Sequence, residues 1–349
     1  MDKDFRITLL PGDGVGASLV DGAIAVLNAI ERKFGHDFHM TVKPFGGSAI
    51  DLSGVPLPDE TVEACKQSDG ILIGAVGGKR WQSLPPHARP EKALHALYSA
   101  LGLYAGLYHT STGGKCSPLK PAVSRRGIDI MLVKDLLGGL NSGEQGYRDG
   151  VLGQEAFDTD VYAISEIERI AKVAFELATT RGKTVTDVTK SDTMSTSRLW
   201  RATVDRVAKS YPAVSLKHEN VANFITSVTL APNAYDVVLA SDATGDIVAG
   251  ALSGIVGSAG LLPACAIGGA NTVGVYGNAQ RLAENPVGII LSAAWLLSSL
   301  GLQTESDAIE NAVNKVLAKG LRTVDVADGK KYVNCELMSE EIVFAIINS

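Results

Sequence analysis

Residues 235–253 read YDVVLASDATGDIVAGALS. The run YDVVLA has the length and branched apolar content of a buried strand, and the small apolar residues from Ile247 onward suit a helix. Asp242 and Asp246 stand four residues apart, about one helical turn, where strand gives way to helix. A strand running directly into a helix is the repeating unit of an α/β fold with a buried sheet. Two carboxylates at that junction fit two uses. They suit a hard divalent cation, Mg or Mn, which prefers oxygen ligands. They equally suit the capping and charging of a helix N-terminus.

The same alternation extends in both directions. FRITLLP (5–11), HMTVKPF (39–45), GILIGAVGG (70–78), IDIMLVKD (128–135) and KTVTDVTK (183–190) read as strands. Helical spacing recurs in 18–34, 56–69, 91–103, 164–182 and 196–211. The glycine-rich polar stretch GGLNSGEQGYRDGVLGQE (138–155) reads as an irregular insertion, an arm or a loop. The chain has 349 residues, 46% hydrophobic and 20% charged, which suits a globular chain of about two domains and not a disordered one.

A net charge of −6 argues against a general nucleic-acid binder. Cys65, Cys116, Cys265 and Cys335 show no CxxC spacing, as expected of free thiols in a reducing compartment. The start, MDKDFRITLL, lacks the basic and long apolar segments of a signal peptide. VGIILSAAWLLSSLGL (287–302) is short for a membrane span and broken by serines, so it reads as a buried helix. These features predict a cytoplasmic protein without membrane or nucleic-acid partners. There is no GxSxG elbow, no GxxxxGKS loop and no metal spacing among the histidines.

Taken in order, LLPGDGVG (9–16), FGGSAID (45–51), GVPLPDET (54–61), ILIGAVGGKRW (71–81), LPPHARPEKAL (84–94), TSRLWRATVDRVA (196–208), YDVVLASDATGDI (235–247) and GSAGLLP (257–263) resemble the isocitrate/isopropylmalate dehydrogenase family, in its 3-isopropylmalate branch. The resemblance runs nearly end to end. It implies an isopropylmalate dehydrogenase-like α/β fold of two domains with a cleft between them and no GxGxxG Rossmann motif. The first domain would be 1–103 plus 258–349, on the cofactor side. The second would be 104–257, with a dimer arm near 138–155. It also implies a homodimer and a small carboxylic acid substrate. The chemistry would be oxidation of a malate-like 2-hydroxy acid with NAD or NADP, then loss of CO2, aided by Mg or Mn.

Residue by residue, the resemblance makes Lys190 the catalytic lysine, Asp246 a metal-binding aspartate, Arg89 a substrate-clamping arginine and Asn223 a neighbour of the nicotinamide. On the cofactor side it points to Gly74, Tyr276, Gly277, Arg281 and Asn285, with Arg281 positioned for the 2′-phosphate of NADP. Other positions depart from the family pattern. The second metal aspartate falls at Gly250, with Asp242 a candidate substitute, and the partner-subunit aspartate falls at Ala222. The remaining arginines fall at Tyr98 and Lys134, the catalytic tyrosine at Asn141, and a pocket residue at His95. Tyr98 and His95 fit either interior packing or a reshaped pocket. Lys134 keeps the charge but not the planar fork of arginine. Asn141 offers hydrogen bonds but no acidic phenol. These departures predict a substrate other than 3-isopropylmalate, oxidised with or without decarboxylation. The alternative they leave is a catalytically degenerate or repurposed member, either a regulatory subunit or one doing non-redox chemistry in the same cleft.

Overall fold

The computed structural model describes residues 4–85, 88–111, 116–279, 284–327, 329 and 331–348. The chain divides into two compact units: residues 1–103, 114–118 and 253–349, and residues 104–113 and 119–252.

The chain begins in unit 1 with β1 (Asp4–Gly12), α1 (Gly16–Phe34), β2 (Asp37–Val42), α2 (Gly47–Ser53), α3 (Asp59–Lys66), β3 (Gly70–Ala75) and α4 (Glu91–Leu101). Unit 2 takes up β4 (Leu103–Ser111) from Tyr104, then α5 (Pro121–Ser124), β5 (Asp129–Asp135), β6 (Gln145–Gly150) and β7 (Gly153–Asp158). It continues through α6 (Ile164–Thr180), β8 (Thr184–Thr189), α7 (Ser195–Ala208), β9 (Ser215–Asn220), α8 (Val221–Leu230), β10 (Val237–Ala240) and α9 (Asp242–Val256). The chain returns to unit 1 for β11 (Ala264–Gly268), β12 (Val275–Tyr276), α10 (Val287–Ser299), α11 (Gln303–Ala318) and α12 (Cys335–Ile347).

In unit 1 the strand order is β2-β1-β3-β12-β11, parallel except where β12 meets β11. Every residue of β3 is buried, as expected of a parallel strand covered on both faces. Helices α1 and α10 pack against this sheet, α12 packs on α1 and α11, and α10 is buried on nearly all sides. Among the described residues no helix is long and apolar enough to cross a membrane. In unit 2 the order is β4-β5-β10-β8-β9, with β4 antiparallel to β5 and the other pairs parallel.

The irregular insertion expected over 138–155 is in part regular: β6 and β7 form a separate antiparallel hairpin. Arg148 pairs with Glu155 across it at 2.8 Å. Both strands are largely exposed, with no buried residue in either, which hides this hairpin behind a loop-like composition. All four cysteines are free. Burial pushes the thiols of Cys65 and Cys265 up to about 12, so they are inert at neutral pH.

Candidate functional site

In unit 2, parallel strands deliver the candidate residues to one end of the sheet, where α/β proteins commonly bind ligands. Ala240 of β10 pairs with Lys134 of β5 and with Val188 of β8. The chain beyond Ala240 becomes α9, and the chain beyond Val188 reaches Lys190. Lys134 therefore lies beside the first turn of α9. Its ammonium contacts the Asp246 carboxylate and lies 3.3 Å from Asp242 Oδ1. A Cβ on Gly245 would fall 2.6 Å from the Lys134 Cβ, so only glycine lets the helix lie this close to the lysine stem.

Further hydrogen bonds fix this cluster. Asn141 Nδ2 donates to Asp242 Oδ2 at 2.9 Å, and the Asp242 N–H donates to the Tyr162 hydroxyl at 2.9 Å. The Tyr162 ring meets Trp200 edge-on, with centroids 5.0 Å apart. Tyr108 of β4 turns its ring over Gly106, the antiparallel partner of Lys134, which brings the phenol beside the lysine. Lys134 is only 6% exposed. Burial opposes its charge, but Tyr108, Asp246 and Asp242 together outweigh burial and hold the ammonium above its ordinary range. Next to it, burial pushes the Asp135 carboxyl up to about 6, although Gly138 N–H donates to Oδ2 at 2.6 Å. Among the described residues its Oδ1 has no hydrogen-bond partner.

The expectation from sequence gave Asp242 and Asp246 to a metal or to a helix N-terminus, Lys134 to a substrate carboxylate, and Asn141 to the catalytic-tyrosine position with hydrogen bonds only. The structure joins all four to one another. Lys190 and Asn223 are exposed and stand outside this network. The Lys190 backbone closes a turn, accepting N–H bonds from Thr193 and Met194 at 3.2 and 3.0 Å. Asn220, three residues before Asn223, caps α8 through Ala222 N–H at 3.0 Å.

The donor set at this cluster does not fit a divalent cation. Asp242 and Asp246 already face an ammonium, Gly250 brings no ligand atom, and Ala222 offers a methyl group. Among the described residues, three ligand atoms of the required kinds converge only at Asp4, Asp37 and His39, on the exposed N-terminal ends of β1 and β2.

In unit 1, Gly74 of β3 lies against the end of β1, where a Cβ would fall 2.4 Å from the Pro11 carbonyl oxygen. Gly74 and Asn285 both line a narrow crevice of about 20 Å3, together with Gly260, Asn278 and Gly288. Asn285 accepts from Val287 N–H and donates to Asp325, both at 3.1 Å. Gly277 has φ +133°, a backbone region that side chains rarely enter. Tyr276 is buried, and burial pushes its phenol up to about 12, so it packs in the interior. Arg281 lies outside the described residues.

Arg89 directs its guanidinium at its own loop, donating to the carbonyls of Leu84 and Gln82 at 3.0 and 3.1 Å. On α4, Tyr98 is buried with Ala93 and Leu97, which favours the interior reading. His95 is half-buried, and among the described residues its Nε2 has no hydrogen-bond partner.

Sequence reasoning did not single out Tyr108, Tyr162, Asp135 or Asp13. The signal for Asp13 was its place in PGDG between a strand and a helix. Asp13 is 3% exposed and accepts backbone N–H bonds from Gly47, Ser48 and Gly77 at 2.9, 2.7 and 2.5 Å.

Comparison with known proteins adds to this geometry. The family described as isocitrate/isopropylmalate dehydrogenase matches residues 6–342. The 3-isopropylmalate dehydrogenase of Geobacillus kaustophilus is 41% identical over 99% of this chain and 96% of its own length. That of Clostridium acetobutylicum is 40% identical over 98% of this chain and 99% of its own. Among solved structures, isocitrate dehydrogenase from Methylococcus capsulatus aligns with a TM-score of 0.86 at 25% identity, covering 98% of this chain and 99% of that one. A β-decarboxylating dehydrogenase from Thermococcus kodakarensis aligns at 0.77 and 25% identity, covering 99% of this chain and 96% of that one.

Proposed function

We infer the function from one premise: the chain belongs to the isocitrate/isopropylmalate dehydrogenase family. We propose that it binds NAD or NADP and oxidises a small malate-like 2-hydroxy acid other than 3-isopropylmalate. The observation that carries this reading is the ordered cluster of Lys134, Asp242, Asp246 and Asn141 at the sheet end that also presents Lys190. A polar cluster in which the buried Lys134 and Asp242 both find side-chain partners supports a retained binding site, because an unpaired buried charge is costly.

In this reading the dinucleotide supplies the hydride acceptor, framed by Gly74, Gly277 and Asn285. The exposed amine of Lys190 receives the hydroxyl proton. Two observations support a changed substrate. The forked donors of Arg89 are engaged by carbonyls of its own loop, and Lys134 stands where the family resemblance calls for an arginine. Both reduce the capacity for bidentate recognition of carboxylates. We also propose a homodimer, supported by the exposed tip of the β6–β7 hairpin, where Val151 and Leu152 are almost wholly accessible. Sedimentation of the purified protein tests it.

A calorimetric titration with NADH and with NADPH tests the main reading, followed by a panel of 2-hydroxy acids that includes 3-isopropylmalate. The expected result is micromolar binding of one dinucleotide, reduction of it with a member of the panel, and negligible turnover of 3-isopropylmalate. A second reading, a catalytically degenerate member, is favoured by one observation: Asn141, not a phenol, donates to Asp242. Failure to bind either dinucleotide would select it.

A further inference from the structure

The geometry points to Lys134 as a resident cation that takes the place of a divalent metal between Asp242 and Asp246, so that this site works without a metal ion. The inference does not rest on the redox reading above.

Three observations carry it. The first is position. One ammonium contacts Asp246 and stands 3.3 Å from Asp242, at the point both carboxylates face. A divalent ion would need those oxygens at about 2.0–2.6 Å, and the lysine charge would oppose it at short range.

The second is confinement. Lys134 is 6% exposed, and Gly245 of α9 lies against its stem. Its partner Asp242 is held from two further sides by Asn141 and by the Tyr162 hydroxyl. An incoming ion would have to displace an ammonium already paired with both carboxylates.

The third is the missing ligand. Gly250 follows Asp246 by one turn of α9 and carries no side chain, and a Cβ there would meet nothing within 4 Å. A side chain could begin there in open space, but none is present. An ammonium supplies a fixed charge and N–H donors, not an open coordination shell. The site therefore suits a ligand oxygen that accepts a hydrogen bond, such as a hydroxyl or carbonyl.

The test is direct binding of Mn2+ to chelator-treated protein, read by the loss of the free Mn2+ paramagnetic signal. Wild type is expected to show no binding that Asp246→Asn removes, up to millimolar Mn2+. Lys134→Met is expected to acquire such binding. Lys134→Met with Gly250→Asp is expected to tighten it on the order of tenfold by adding a carboxylate. Micromolar Mn2+ binding by wild type that Asp246→Asn abolishes would overturn the inference. So would folded lysine variants, verified by circular dichroism, that bind no more Mn2+ than wild type. If Lys134→Met does not fold, wild type against Asp246→Asn still decides the matter. None of these readouts needs a dinucleotide or a substrate, so they stand or fall apart from the dehydrogenase reading.

Discussion

Asp13 in unit 1 and Asp242 in unit 2 both sit where a strand turns into a helix, and both are buried, at 3% and 9% exposure. They are satisfied in opposite ways. Asp13 takes its hydrogen bonds from the main-chain N–H groups of Gly47, Ser48 and Gly77. Asp242 faces side chains, the Lys134 ammonium and the Asn141 amide. Main-chain donors persist whatever residues evolve around them, whereas side-chain donors can be exchanged one for another. The first arrangement depends on the backbone path alone, and the second depends on which side chains surround the carboxylate. Two more buried carboxylates in unit 2 fall between these extremes: Asp135, half satisfied, and Asp187, bonded to a group that titrates.

The largest effect is expected at Asp13. Asp13→Ala strands two buried N–H groups and a half-buried one at once, and each costs roughly 1–3 kcal/mol, so a loss of about 4 kcal/mol follows in denaturant unfolding. Asp13→Asn keeps one acceptor oxygen and should recover part of that loss. If the alanine variant lost less than about 1 kcal/mol, the main-chain cradle would not be what organises this turn.

Asp135 comes next. Burial raises its carboxyl from 3.8 to about 6, so the folded state binds the proton more tightly than the unfolded chain does. The stabilising contribution is complete below 3.8 and is lost as pH rises through about 6. The shift corresponds to a decline of roughly 3 kcal/mol across that window. Asp135→Asn should be insensitive to this change, so the stability difference between variant and wild type should move toward the variant as pH rises. Parallel stability curves would show that Oδ1 is solvated in solution.

A smaller loss is expected for Lys134→Met, about 2 kcal/mol. Breaking a fully buried ion pair costs more, but Asp246 is 62% exposed at its side chain and water screens it. The informative quantity is coupling. Lys134→Met and Asp242→Asn together should cost less than the sum of the two single changes, because each alone leaves the other charge unpaired. Additive losses would break the contrast with Asp13, since Asp242 would then have no dependence on the lysine.

These contrasts also explain what the sequence revealed. Continuous apolar runs such as GILIGA and VVLA became the buried strands β3 and β10, because a strand covered on both faces needs no polar alternation. Periodic segments such as 164–182 became helices with one buried face. The strand LYAGLYHTS, β4, was not read as one, since its aromatic and polar residues mix burial and half-exposure along an antiparallel neighbour. At the site, residue types were legible but partners were not. Lys134 and Asp246 are 112 residues apart, and spacing alone does not announce a contact made by adjacent strand ends. Asp13 was missed for the opposite reason: its partners are main-chain groups, which leave no mark on composition.

The smallest effect sharpens the comparison from a different side. Asp187 is fully buried and accepts hydrogen bonds from Trp200 Nε1 at 2.9 Å and His218 Nδ1 at 2.8 Å. Burial pushes its carboxyl toward the acid form, but two converging N–H donors favour the anion, and we take Asp187 as ionised. The hydrogen bond to Asp187 leads in raising His218, with burial opposing it and Asp205 at 2.9 Å adding to it. A raised imidazole stabilises the fold fully below its ordinary value of 6.5 and loses that contribution as pH rises through the raised one. Stability should therefore fall on the alkaline side of 6.5 in wild type and stay flat in His218→Gln, whose amide still donates to Asp187. Asp205 is largely exposed, so Asp205→Asn should shift the midpoint of this decline less than Asp187→Asn does. Equal shifts would mean that the surface carboxylate, not the buried one, holds the proton on the imidazole.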